Sequence, residues 1–262
     1  MITKKRYFLL NKLILIAAVF TTMSAAYGDT DYYAVLIGIN DYLDEGHEDF
    51  NYAIADIQLV EDMLVQAGDW SIENIRMLED EDATENGILD SIEAMGNKAD
   101  GDDVCLIMFS GHGSAQGAIK GLVTYDDRPE VEAWHRISPS ELNSWINAYF
   151  YTDKIMVILD ACYTGGFYNQ IDKGVILMAC QADEHAIQDD EYLMHSVFTY
   201  FIGQGMAGYA DLAGSSLSAE EIFDYAAPRR QRLRDKSTSF HPTSQCAYSA
   251  LIIDYRKGLS LR

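Results

Sequence analysis

Short, unbroken apolar runs alternate along this chain with amphipathic stretches whose apolar residues recur at helical spacing. Tyr33-Ala34-Val35-Leu36-Ile37-Gly38-Ile39 is the first such run, and its continuity predicts a strand buried on both faces. Ile57, Val60, Met63, Leu64 and Ala67 follow at helical spacing, and Gly68 stops that helix. Ile75 to Leu78 predicts a short second strand, Ile88, Ile92 and Met95 a second helix, and Val104 to Phe109 a third strand. From Ser114 to Arg136 there is no period, and an irregular stretch is expected. Ser138-Pro139-Ser140-Glu141 then combines a capping Ser, a Pro at the first helical position and a Glu three residues after the cap, opening a third helix through Tyr149. Lys154 to Asp160 predicts the fourth strand and Gly174 to Cys180 the fifth. Ser196 to Gly203 is an apolar helix. A second capping box, Ser218-Ala219-Glu220-Glu221, opens a helix that Pro228 is expected to end, and Ala247 to Ile253 is the last strand. Alternation of this kind predicts an α/β fold, with a mostly parallel six-stranded sheet covered by helices on both faces. No repeat or linker marks a second domain.

The first 28 residues do not share the pattern. Lys4, Lys5, Arg6 and Lys12 form a basic head, Leu13 to Phe20 a short apolar stretch, and Ala26-Tyr27-Gly28 offers small residues at the spacing that signal cleavage uses. The apolar stretch is shorter than the about 20 residues a membrane span needs. A signal peptide at 1–28 and a domain at 29–262 are therefore expected, with a secreted or periplasmic product and no stable membrane insertion after cleavage. Losing the leader's four bases takes the formal net charge from −22 to −26. That charge repels nucleic acid and anionic membranes and attracts cationic peptides; most of the acids serve equally well as a soluble surface. Of the four cysteines, Cys105 falls inside an apolar strand, Cys180 and Cys246 are the one pair open to a disulfide, and Cys162 stands apart.

The chemistry gathers at two strand ends. The third strand runs into Ser110-Gly111-His112-Gly113, and the fourth into Ala161-Cys162-Tyr163-Thr164-Gly165-Gly166. In a parallel sheet the carboxyl ends of strands are where ligands bind, so a His and a Cys there read as a base and a nucleophile. A free thiol, with a pKa of about 8.5, is mostly protonated at neutral pH. His112 can take that proton and return it to a leaving amine. A buried structural thiol and a loop histidine are the alternatives for either residue taken singly.

Together these two motifs resemble the caspase-like cysteine peptidases, most closely their bacterial metacaspase-like branch. The interval of 50 residues from His112 to Cys162 matches the caspase spacing. Leu36-Ile37-Gly38-Ile39-Asn40 with Ala55-Asp56, Leu193 to Gly205 with Phe198-Thr199-Tyr200, and Ser218 to Ala226 resemble further family segments, so that the likeness covers roughly 32–255. The resemblance implies the caspase-like three-layer fold. It also implies a Cys162–His112 dyad and an oxyanion site formed by the backbone N–H groups of Gly113 and Cys162.

In metacaspase-like relatives an acid at the position of Asp160 lines the pocket for a basic side chain, and Asp56 matches a second acid of that pocket. A carboxylate can hold Arg through two parallel hydrogen bonds and Lys as a point charge. The resemblance thus implies cleavage after Arg or Lys in peptide or protein substrates. A solvent-facing helix residue is the alternative for Asp56, and a loop-bracing carboxylate for Asp160. Many metacaspases need calcium. Here Ser138 and Ser140 stand where relatives often carry paired aspartates, Asp126 and Asp127 remain, and Asp211 to Ser216 lacks the alternating acids of a calcium loop. No metal or cofactor is expected. Only Phe167 to Gly174 links the Cys loop to the fifth strand, which leaves little room for a cleavable linker. His47, His135, His185, His195 and His241 lack metal-ligand spacing and are expected to be structural or solvated. The basic run Arg229, Arg230, Arg232, Arg234, Lys236 reads as an exposed face and as a site for self-cleavage. The rivals to this reading are a legumain-like peptidase cutting after Asn and a non-catalytic binding module of the same fold.

Overall fold

Alternate residues of the first strand enter opposite cores, and this defines the architecture. In β1 (Tyr32–Gly38), Tyr33, Val35 and Ile37 join one buried cluster while Ala34 and Leu36 join another. The structure, a computed structural model, describes residues 29–115, 120–128, 134–189, 192–211, 217–237 and 252–255. The leader read at 1–28 and the residue Cys246 lie outside them, as does most of the segment Asp211 to Ser216.

The remaining elements run in chain order: α1 (Ala53–Ala67), β2 (Ile75–Glu79), α2 (Glu85–Gly96), β3 (Val104–Ser110), β4 (Gly113–Ser114), β5 (Gly121–Val123), β6 (Arg136–Ile137), α3 (Pro139–Tyr149), β7 (Ile155–Asp160), β8 (Val175–Met178), β9 (Gln188–Asp189), β10 (His195–Ser196), α4 (Val197–Gln204), α5 (Ala219–Ser237) and β11 (Ile252–Tyr255). Six strands form one sheet in the order β11-β8-β7-β3-β1-β2. All neighbours are parallel except β11, which pairs antiparallel with β8. Helices α2 and α3 pack on one face, through Ile88, Ile92, Leu142 and Ile146. Helices α1, α4 and α5 pack on the other, through Ile57, Val60, Phe198, Ile202 and Ile222. Two apolar faces per strand explain why β3 and β7 read as unbroken apolar runs.

Local signals place most helix ends. Gly68 caps α1, and Thr84 accepts from the Gly87 N–H at the start of α2. Ser138 and Glu141 form a reciprocal capping box, and so do Ser218 and Glu221. Two expectations need correction. The stretch from Ser114 to Arg136 is not irregular throughout, because β4, β5 and β6 form a small antiparallel sheet. Its strands have two or three residues each, too few to show a period. Nor does Pro228 end its helix: α5 runs on to Ser237. A proline inside a helix costs about 3 kcal/mol, but the Arg, Gln and Leu residues that follow are strong helix formers. Arg229 also spans the proline turn, donating to the Tyr225 carbonyl at 2.8 Å with its guanidinium 3.5 Å from the Tyr225 ring centre.

Candidate active site

Parallel pairing of β3 with β7 sets Ser110 opposite Asp160, and the Gly111 N–H donates to the Asp160 carbonyl at 3.2 Å. His112 and Cys162 each follow two residues later, so they leave neighbouring central strands at the same, carboxyl, end of the sheet. Gly113 lies flat against the Cys162 peptide: a methyl group on it would fall 2.0 Å from the Cys162 carbonyl oxygen and 3.2 Å from its nitrogen. Only glycine permits that approach. The small sheet holds the His loop down, since Gly113 pairs with Leu122 and the His112 carbonyl accepts from the Val123 N–H at 2.9 Å.

His112 is fixed at both ends. Its backbone N–H donates to the Tyr42 hydroxyl at 2.7 Å, and Nε2 lies 2.5 Å from the Glu48 carbonyl oxygen. A carbonyl can only accept, so the ring proton sits on Nε2 and Nδ1 is left as the basic nitrogen. Phe50 packs edge-on against the ring at 4.4 Å and Tyr42 at 5.0 Å. Burial among these groups lowers the His112 pKa from its ordinary value, which favours the neutral imidazole a general base requires.

Cys162 is half-buried and is in no disulfide. Its sulfur lies 3.3 Å from Nδ1 of His185, and Nε2 of His185 lies 2.9 Å from the Tyr163 hydroxyl. By contrast the other described thiols are buried, Cys180 against the Ala161 carbonyl and Cys105 within β3. Burial pushes Cys105 up to about 12 and raises Cys180.

Asp56 and Asp160 are buried near enough for the charge of one to act on the other. Asp56 is fully buried, at 0 % exposure, and so is not a solvent-facing helix residue; Asp160 is 3 % exposed. Asp56 accepts from Nδ1 of His195 at 3.1 Å, from the Ser196 N–H at 3.0 Å and from the Ser110 hydroxyl at 3.0 Å. Asp160 accepts from the Thr199 hydroxyl at 2.6 Å and the Thr199 N–H at 3.2 Å. Burial raises both carboxyl pKa values, and for Asp160 the nearby Asp56 charge adds to it, to about 7. Two desolvated carboxylates cannot both ionise cheaply, so the pair keeps a proton up to near neutrality.

Asp126 and Asp127 do not form an open acid cluster. Asp127 is buried and accepts from Arg136, from the His135 N–H and from His47, at 2.9 to 3.0 Å. Asp126 accepts from the Glu85 N–H and the Thr124 hydroxyl. A guanidinium already bonded to Asp127 is a poor companion for a divalent cation, so this donor set does not fit calcium.

His185 and His195 are the residues that the sequence did not single out. It offered both as structural or solvated side chains, yet one reaches Cys162 and the other Asp56. His195 lies immediately before the Ser that precedes an apolar helix, a position that could have drawn notice. For His185 no local signal exists.

The family model described as the caspase domain matches residues 31–247. No curated protein matches the chain. Among solved structures, a crystal structure of protein GSU0716 from Geobacter sulfurreducens is similar in fold, with 14% sequence identity and a TM-score of 0.58, over 87% of this chain and 94% of that one.

Proposed function

The chain belongs to the caspase domain family, whose domain implies a cysteine peptidase acting on proteins, and from that premise we propose an endopeptidase that cuts after Arg or Lys through a Cys162–His112 dyad. Nδ1 of His112 takes the thiol proton as the sulfur attacks the peptide carbonyl. The resulting oxyanion faces the backbone N–H groups of Gly113 and Cys162; losing one such donor typically costs about 3 kcal/mol. Collapse expels the amine, which leaves with the proton held by His112, and water then hydrolyses the thioester with His112 again as base.

The observation that carries the Arg or Lys preference is the buried pair of Asp56 and Asp160, the latter two residues before Cys162. A substrate guanidinium can replace the His195 imidazole on Asp56 and add a second contact at Asp160. Without its cation a buried, ionised acid costs several kcal/mol. The test is a fluorogenic peptide panel that varies only the residue before the cut. Arg and Lys peptides should exceed Asn and Asp peptides by orders of magnitude, and Asp160→Asn should erase most of that difference. Equal rates on Arg and Asn peptides would instead favour the legumain-like alternative and sink the acid-pocket reading. We propose further that the enzyme works without calcium, given the saturated Asp127, and that it is exported with its leader removed. N-terminal sequencing of the protein from its native host checks the second point.

A further inference from the structure

His185 touches the nucleophile by a built contact. The segment that carries it docks on the Cys loop: the Tyr163 N–H donates to the Glu184 carbonyl at 2.8 Å, and the Cys180 thiol also donates to that carbonyl at 3.3 Å. Tyr163 itself has φ 63°, a left-handed conformation that is strained for a non-glycine residue. This conformation, directly after the nucleophile, places the Tyr163 ring edge-on to the His185 ring at 4.9 Å, with its hydroxyl on Nε2. Strain held in place by tertiary contacts at a reacting residue points to a function.

We propose that His185 is a positioning residue for the nucleophile: with Nε2 accepting from the Tyr163 hydroxyl, its Nδ1–H donates to the Cys162 sulfur and stabilises the thiolate. The proton that leaves the sulfur goes to Nδ1 of His112. In this step His185 keeps its Nδ1 proton and the Tyr163 proton stays on its oxygen. Two observations support this direction of donation. The Tyr163 phenol is held protonated, since burial and the neighbouring Cys162 and Cys180 raise its pKa. Burial makes His112 a reluctant cation, so a thiolate paired with it gains from a second donor. The other titratable groups facing this cluster are Tyr42, whose phenol is pushed up mainly by burial and in part by Cys162, and Glu184, whose carboxylate accepts from the Gln181 N–H. Both stay in place in every variant compared below, so neither can imitate the loss of His185.

The inference rests on Cys162 as the nucleophile, but its readout needs no peptide. The rate of Cys162 alkylation by iodoacetamide is measured from pH 5 to about 10 in the full chain, in His185→Ala and in Tyr163→Phe, with Cys162→Ala as the blank; this range brackets an ordinary thiol. The inflection should move up by about one pH unit in His185→Ala, and by a smaller step the same way in Tyr163→Phe, which keeps the ring contact. Below both inflections the thiolate fraction falls about tenfold while its nucleophilicity rises about threefold, so alkylation at about pH 6.5 should slow about threefold. An unmoved inflection in both variants overturns the proposal. So does a downward shift, which would mean that His185 accepts the thiol proton and shields the sulfur. A raised inflection in a chain that cuts no peptide would leave this inference standing and count against the peptidase reading alone.

Discussion

Replacing Asp160 by Asn should change how stability depends on pH, by an amount the structure supplies. In the folded protein the Asp160 carboxyl titrates at about 7; in the unfolded chain an aspartate titrates at about 3.9. The native state therefore binds this proton more tightly. The stability it contributes is complete below about pH 3.9 and is lost as pH rises through about 7. Three pKa units at about 1.4 kcal/mol each amount to about 4 kcal/mol, and between about pH 5 and 6 the loss runs at about 1.4 kcal/mol per pH unit. The amide of Asp160→Asn would carry no titrating proton but would keep an oxygen to accept from the Thr199 hydroxyl and N–H. The assay is urea unfolding at about pH 5, 6 and 7, the window in which this proton is lost, with both proteins carrying Cys162→Ala to prevent self-digestion. The Asp160→Asn variant should show a slope flatter by about 1.4 kcal/mol per unit. Parallel slopes would refute the reasoning, because they would mean that Asp160 is ionised throughout and that burial does not govern it.

Cys162→Ala should abolish peptide hydrolysis while leaving the thermal midpoint within a few degrees, since it removes one half-exposed sulfur; residual turnover would displace Cys162 as nucleophile. Peptidase activity should persist in excess chelator, and a saturable requirement for micromolar calcium would show that Asp126, Asp127 or other carboxylates rearrange to bind it. Activity should not require a cut at Lys173. Gly174 has φ 75° and sits so close to the Ile155 carbonyl that a methyl group would approach to 2.0 Å, and Lys173 donates to the Phe150 carbonyl at 2.5 Å. N-terminal sequencing that finds a new terminus at Gly174 in step with activity would overturn this. For the same reason Gly174→Ala should destabilise the fold by several kcal/mol in a denaturation experiment.

Strand identity was legible in the sequence because burial on two faces writes itself locally. A strand such as Ile155 to Asp160 must be apolar at nearly every position if helices cover both sides of the sheet. Helix starts were legible for the same reason, since Ser138 and Ser218 each satisfy the first turn with a Glu three residues on. His112 and Cys162 could be named because each follows such a strand, and parallel pairing brings the ends together. What the sequence could not state is which groups close over those ends. His185 meets Cys162 across 23 residues and His195 meets Asp56 across 139, and no periodicity records a contact between a loop and a strand end. The acids at 56 and 160 were expected as pocket residues, but only the tertiary fold buries them and so raises their pKa values, against hydrogen bonds from Ser196 and Thr199 that lower them. Local patterns decide which residues are buried; whether a buried charge is matched, and by what, depends on donors that arrive from other elements.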